Sequence, residues 1–438
     1  MSWSALFQRF FFPQPVTFPV AAGLYAYQYE GNGERSHLHL RVDAQGNGVL
    51  LVNASRIYHF NPTATLMAWA ILEGKSEEEQ VALLVSTYAV RPAQAREDLK
   101  AFREQLAGLI RPDGACPFHE LELETMMPFR DRPAAPYRMD LALTYRCNNE
   151  CAHCYNARAR NYPELPTEDW KRILEILRDV GIPHVVFTGG EVTLREDLPE
   201  LIAHATQLGL ITGLNTNGRR LAEARYVQRL VEAGLDHVQI TVESCDAEIH
   251  NRMVGARAFE QTIRGLKNAL ASPLFVMTNT TLLRDNAHTI AQTIDFLAEI
   301  GVPTIGINAL IYSGHGLKVG TGLAEAELYP LLEIARQKTQ EHGQRLIWYP
   351  LPSTVILTRC NSIWGSRDVP RRSIACAWNP RETCSPVSPI TIPWATSCAI
   401  PGKPSGITRF VCVCVSAAMC RRPANPARFC RSAAVDVR

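Results

Sequence analysis

The segment Cys147-Asn148-Asn149-Glu150-Cys151-Ala152-His153-Cys154 places three cysteines within eight residues, just after the apolar run Leu141-Ala142-Leu143-Thr144. Three thiolates can hold three corners of a 4Fe-4S cube, whose full protein ligation takes four cysteines. The missing fourth leaves one iron open, and an open metal position is what a catalytic site keeps for substrate or cofactor. The alternatives are three buried thiols or a zinc clip, for which His153, squeezed between two cysteines, is the nearby fourth ligand. The position of the triplet after a strand-like segment favours the cluster.

A second segment of this kind, Phe187-Thr188-Gly189-Gly190-Glu191, follows about 40 residues later. Glycines let backbone approach a ligand closely, and a carboxylate offers acceptors to an ammonium group. Alone it reads equally as a plain strand-to-helix turn. Together the two segments resemble the radical S-adenosylmethionine (radical SAM) superfamily, whose signature is a CxxxCxxC loop after the first barrel strand, followed by a Gly-Gly-Glu motif. His153 stands where an aromatic residue is common, and Val192 where a proline is usual.

The resemblance implies a role for each matching residue. Cys147, Cys151 and Cys154 ligate a 4Fe-4S cluster, and Gly189, Gly190 and Glu191 hold the amino group of S-adenosylmethionine (SAM). Asn215-Thr216-Asn217-Gly218 resembles the family's segment near the ligand, so Asn215 and Asn217 line the pocket or simply make the turn. In Gln239-Ile-Thr-Val-Glu-Ser244 the family shows Ser-Leu-Asp, which makes Thr241 a candidate hydroxyl for the methionyl carboxylate, with Glu243 a departure from aspartate. Arg252 either adds positive charge there or is an exposed arginine at a helix start; Cys245 reads as a buried thiol and His250 receives no role. The implied reaction is reductive cleavage of SAM to a 5′-deoxyadenosyl radical that abstracts hydrogen from a substrate. The cofactor carries that step, and the protein orients it and excludes water.

These motifs need a scaffold, and the pattern from 138 to 349 alternates strand and helix. Strands are expected at 139–144, 184–187, 211–215, 237–242, 275–281 and 304–309, and helices at 167–180, 198–208, 222–233, 259–270, 288–299 and 323–342. Six βα units make an α/β fold, a partial (β/α)6 TIM-like barrel with one open side. Active sites in such sheets lie beyond the carboxyl ends of the strands, where each motif falls.

Before the barrel, strands at 36–41 and 48–52 precede helices at 64–72, from Ser76, and at 91–110. Asn61-Pro62 and Ser76 with its following glutamates are helix-start signals. The stretch Gly48-Val-Leu-Leu-Val-Asn-Ala-Ser-Arg-Ile-Tyr-His-Phe-Asn-Pro-Thr-Ala64, then Leu72-Glu-Gly74 and the helix through Leu106, resembles the PqqD-like peptide-recognition domain, a small α+β winged-helix-like fold covering about 36–112 of an N-terminal region 1–128. That family binds an extended leader peptide by β-augmentation; the alternative is a generic α+β appendage. Residues 129–137, with Arg130-Asp-Arg-Pro-Ala-Ala-Pro136, read as a linker.

The chain has 438 residues with 46% apolar and 20% charged content, as expected for two or three globular domains. A net charge of +2 gives no general pull toward nucleic acid or an anionic membrane. Residues 6–20 are aromatic but broken by Arg9, Pro13 and Pro15, too short for a membrane span and unlike a signal peptide. Free thiolates and an oxygen-sensitive cluster fit a cytoplasmic location.

From about Pro350 the chain becomes irregular. Residues 350–438 hold eight of the 13 cysteines and 12 Lys/Arg against three Asp/Glu, whereas the preceding 349 residues hold 33 against 40. A cysteine-rich metal domain or a basic arm would have such a composition. A reading-frame slip between Ile347 and Thr354 explains it better. Back-translated in the alternative frame, the tail permits CVEPQGDVLPC from Cys376, LGNILRDPWKAIWNHP from Pro393 and VCGGGCP at its end. These three collinear strings resemble the SPASM extension of radical SAM peptide maturases, whose cysteines hold auxiliary 4Fe-4S clusters; those clusters are expected only if the frame is restored.

The reading as a whole is a radical SAM enzyme acting on a ribosomally made peptide with a leader sequence, fed by an electron donor such as flavodoxin or ferredoxin. Its rivals are a radical SAM enzyme acting on a small molecule or protein side chain, and a catalytically idle peptide-binding protein. RNA modification is disfavoured, because no basic stripe with interleaved aromatics precedes the tail.

Overall fold

The computed structural model describes residues 18–31, 34–53, 56–110, 135–156 and 159–349, and beyond them four short strands. Most of the linker at 129–137 and the SPASM-like reading of 350–438 lie outside the described residues. The chain forms two compact units, residues 1–135 with 176–183, and residues 136–175 with 184–438.

The first unit is an antiparallel sheet backed by helices. Its strands β1 (Gly23–Gly31), β2 (Glu34–Val42), β3 (Gly48–Val52) and β4 (Arg56–Phe60) pair in chain order, two more than the sequence pattern shows. The helices α1 (Pro62–Leu72), α2 (Glu77–Tyr88) and α3 (Pro92–Ile110) follow. Local chemistry sets each start. The Asn61 side chain accepts the Ala64 N–H at 2.8 Å, and Ser76 and Glu79 form a reciprocal capping box. Leu38, Leu40, Leu50 and Val52 join Leu66, Val81, Leu84, Leu99 and Leu106 in one core. Alternation along β2 and β3 and helical spacing along α3 thus converge on the same apolar space.

The second unit is built on seven parallel strands: β5 (Met139–Thr144), β6 (His184–Gly189), β7 (Ile211–Thr216), β8 (His237–Thr241), β9 (Phe275–Leu282), β10 (Thr304–Ala309) and β11 (Arg345–Tyr349). They lie in chain order, with β5 and β11 at the two edges, so the sheet stays open. The connecting helices are α4 (Thr167–Asp179), α5 (Leu198–Gln207), α6 (Ala224–Glu232), α7 (Ala247–Val254), α8 (Phe259–Leu270), α9 (Ile290–Ile300) and α10 (Glu325–Glu341). Two elements go beyond the six expected units. The two-turn α7 is too short for its period to stand out, and β11 is a five-residue strand, Arg345 followed by four apolar or aromatic residues, at the point where periodicity fades.

Strand alternation divides the sheet into two faces. Leu141, Leu143, Phe187, Leu214, Val238, Ile240, Ile305 and Ile307 are 1% exposed or less and form the apolar face. Register places Thr188, Asn215, Gln239, Thr241, Asn279 and Asn308 on the opposite face. Lower on that face, at the amino ends of the strands, His184 and His237 meet with their Nε2 atoms 2.7 Å apart. They cross above β7 at Gly213, where a Cβ would sit 2.2 Å from the His237 ring.

Burial, reinforced by Arg138, pulls the His237 pKa down from 6.5 to about 4, against a smaller opposing effect of Asp236. Its folded pKa is depressed, so its contribution is complete above pH 6.5 and is lost as pH falls toward 4. A shift of this size corresponds to roughly 3 kcal/mol. The unfolding midpoint is therefore expected to fall as pH drops across this window, and a His237→Gln variant should show a flatter slope there. Parallel melting curves for the two proteins would refute this.

Candidate active site

The ladder between β5 and β6 shifts register between Ala142 and Thr144, and the chain then opens into the cysteine loop. The ladder continues beyond the strands, with Gly190 N–H donating to Thr144 O and Glu191 N–H to Arg146 O, both at 2.7 Å. Only glycine allows this approach. Gly189 has φ +148°, and a Cβ on Gly189 or Gly190 would lie 2.2 Å from Thr144 O or 2.3 Å from Arg146 O. The Gly-Gly-Glu turn is therefore packed directly against the entry to the cysteine loop.

That loop is pinned throughout its length. Glu150 and Ala152 N–H donate to Val254 O and Met253 O at the end of α7, and Cys154 N–H donates to Cys151 O. Asn149 N–H points at Cys147 Sγ, 3.4 Å away. All three cysteines are free thiols, partly exposed. Burial pushes the Cys151 thiol well above its ordinary range, with Glu243 adding to the effect, and burial also raises Cys154. A bound iron would supply the positive charge to reverse this, because ligating thiols are deprotonated. A donor already aimed at one sulfur, thiols on one loop and an open side all fit a three-cysteine cluster. Among the described residues no three His, Cys, Asp or Glu side chains are grouped to hold a single metal ion.

Glu191 occupies a different place from the one read in the sequence. It is 1% exposed. Oε1 accepts from Thr193 N–H at 3.0 Å, Thr193 Oγ1 at 2.5 Å and Thr216 Oγ1 at 2.7 Å, and Oε2 accepts from Asn217 N–H at 2.8 Å. A carboxylate has about four acceptor positions, so protein donors fill it. The side chain ties the end of β6 to the end of β7. Asn217 is likewise engaged: Oδ1 accepts the Arg219 N–H, and Nδ2 donates to Asn148 Oδ1 at 2.6 Å. It steadies the cysteine loop. Asn215 and Thr241 remain on the inner face without hydrogen-bond partners among the described residues.

Beside Thr241 in the register stands Asn279, a residue the sequence pattern did not single out. It is 7% exposed, and its Oδ1 is buried without a partner. Buried acceptors are rarely left unpaired, so an N–H or O–H of a bound molecule fits there. Its signal was an amide at an inward position of an otherwise hydroxyl and apolar strand. Glu243 is buried as well: Oε1 lies 2.9 Å from His153 Nε2, and Oε2 accepts the Thr281 N–H at 2.8 Å. Burial draws the His153 pKa down, but Glu243 outweighs it and holds the imidazole above its ordinary value. His250 Nδ1 accepts the Glu243 N–H. Arg252 is exposed, as the second of its two readings has it, but it stands in the last turn of α7 and not at a helix start.

Residues 141–297 match the Radical SAM superfamily model. Over this stretch the chain is similar to radical SAM domains. Residues 48–109, in the first unit, match the model of coenzyme PQQ synthesis protein D (PqqD). The Fe-coproporphyrin III synthase of Methanosarcina barkeri is 33% identical over 45% of this chain and 50% of its own length. The PqqA peptide cyclase of Rhodopseudomonas palustris is 32% identical over 52% of this chain and 63% of its own. The chain thus spans between half and two thirds of these relatives. Among solved structures, Streptococcus suis SuiB bound to precursor peptide SuiA superposes with a TM-score of 0.54 at 15% identity, covering 75% of this chain and 73% of that one. SuiB bound to S-adenosylmethionine gives 0.54 at 16%, covering 72% of each. At these identities the likeness is one of fold, and it joins the parallel sheet of this chain to that of SuiB. No helix among the described residues is long and apolar enough to cross a membrane.

Proposed function

We propose that the protein is a radical SAM enzyme that modifies a ribosomally made peptide presented by its PqqD-like unit. The observation that carries the reading is the cysteine loop, pinned at the carboxyl end of β5 beside the Gly189–Glu191 turn. A cluster held by Cys147, Cys151 and Cys154 would supply the electron that splits SAM and yields a hydrogen-abstracting radical. The chain's own residues orient the reactants. Gly189 and Gly190 bring backbone carbonyls to the methionyl ammonium; Asn215, Thr241 and Asn279 offer neutral hydrogen-bonding groups on the inner wall. Electrons come from a small donor protein such as flavodoxin or ferredoxin, in the cytoplasm.

The PqqD match and the peptide cyclase relative favour a peptide. The four-stranded sheet has β4 as an edge strand, and Phe60 at its end meets Phe102 of α3 with ring centroids 5.8 Å apart. A leader laid along that edge gains main-chain hydrogen bonds and an aromatic anchor. Deleting the leader from a substrate peptide is expected to raise KM at least tenfold, about 1.4 kcal/mol, with kcat largely kept. The coproporphyrin synthase relative supports the second reading, a small-molecule substrate.

We further propose that residues beyond about 350 are an out-of-frame SPASM extension. The nucleotide sequence across codons 345–356 tests it; an alternative frame broken by stop codons would refute it. For the reaction itself, protein reconstituted anaerobically with iron, sulfide and reductant should convert SAM to 5′-deoxyadenosine. A formed cluster with no turnover, in a frame-restored chain, would leave only a binding role.

A further inference from the structure

We infer that Arg219 is a positioning residue for the cysteine loop, and that its charge raises the reduction potential of the cluster held there. This rests on the cluster reading above. The spacer between Cys147 and Cys151 is Asn148-Asn149-Glu150, three residues without regular secondary structure. Their backbone groups need partners from elsewhere. Arg219, just past β7, supplies one of them and a side-chain contact besides. Its Nη1 donates to Asn148 O and, at 3.0 Å, to Asn149 Oδ1. Its Nε donates to Gln261 Oε1 of α8 at 2.7 Å, which fixes the plane of the fork. Arg160 Nη2 donates to the next carbonyl, Asn149 O, at 2.7 Å.

Guanidinium groups thus hold consecutive carbonyls in the first spacer of the triplet. Asn149 is 3% exposed, so its amide oxygen would be costly to leave unpaired. The fork is more than a staple. Asn148 adjoins Cys147, and consecutive Cα atoms are about 3.8 Å apart, so the charge sits within a residue or two of a ligand. Net charge and hydrogen bonding near a cluster set its potential. Reduction adds negative charge, which a nearby cation stabilises. Arginine rather than lysine suits the place, because a rigid fork can hold an oxygen pair while its Nε is anchored behind.

The test is anaerobic reconstitution of the full chain as wild type, Arg219→Gln, Arg219→Lys and Gln261→Leu. Iron per chain and the midpoint potential, followed by electron paramagnetic resonance, are the readouts. Arg219→Gln is expected to shift the midpoint to more negative potential and to lose iron faster to a chelator. Arg219→Lys should keep most of the potential while still losing iron faster. Gln261→Leu, which leaves the charge in place but frees the fork, should resemble the lysine variant if Arg219→Gln does not fold. Full iron retention and an unchanged midpoint in Arg219→Gln overturn the inference, as does an unchanged chelation rate in Gln261→Leu. A wild-type chain that takes up no iron overturns the cluster reading itself, which is a separate failure.

Discussion

Cys151→Ala is expected to abolish both cluster assembly and SAM cleavage while leaving the fold intact. Three thiolates are the minimum for a cube with one open iron, and removing one exposes a second iron to solvent and loss. The loop does not depend on the sulfur for its shape. Cys151 acts there through its backbone, its carbonyl accepting the Cys154 N–H at 3.2 Å. Alanine keeps that bond, so the apo protein should melt within about 1–2 kcal/mol of wild type, the scale for loss of a small buried group. Iron per chain and 5′-deoxyadenosine formation are the measurements, with Cys245→Ala as the control expected to change neither. Retention of full iron and turnover in Cys151→Ala would end the proposed function.

Glu191→Gln should destabilise the apo protein, by on the order of 2 kcal/mol. The carboxylate accepts two backbone N–H groups and two hydroxyls in a buried setting. An amide turns part of that acceptor into a donor facing donors. Thr193 N–H and Asn217 N–H bond different oxygens, so the amide keeps an acceptor for one and leaves the other unpaired, at about 1–3 kcal/mol, while the two hydroxyls can rotate elsewhere. Urea denaturation of iron-free protein measures it. The experiment also separates two roles. A carboxylate kept for a ligand ammonium would leave apo stability near wild type and weaken only SAM binding. A strut between β6 and β7 loses stability without any ligand. The second outcome is expected, with SAM binding weakened as a consequence of the displaced turn.

Much of the scaffold was legible because its signals are local. Short apolar segments mark β5 to β10, and Asn61 and Ser76 mark helix starts, each readable within a few residues. The elements that escaped were those with little local signal: the two-turn α7, the short β11 and the outer strands β1 and β4. The site divides in the same way. The cysteine spacing and the two glycines speak for themselves, since their chemistry depends on neighbours in the chain.

By itself, then, the sequence determined the three sulfur donors, the turn packed beside them and the αβ alternation that brings both to one end of a sheet. Only the tertiary structure decided what the other polar residues do. Glu191 reads as a ligand group until Thr216 and Asn217, 25 and 26 residues away, are seen to fill it. Arg219 drew no reading from the sequence, because its partner Asn148 lies 71 residues away. Asn279 looks like a strand residue until its buried oxygen proves to have no partner. The reason is physical. A carboxylate, a guanidinium or an amide has no fixed function of its own, and burial together with the donors and acceptors the fold brings to it assign one.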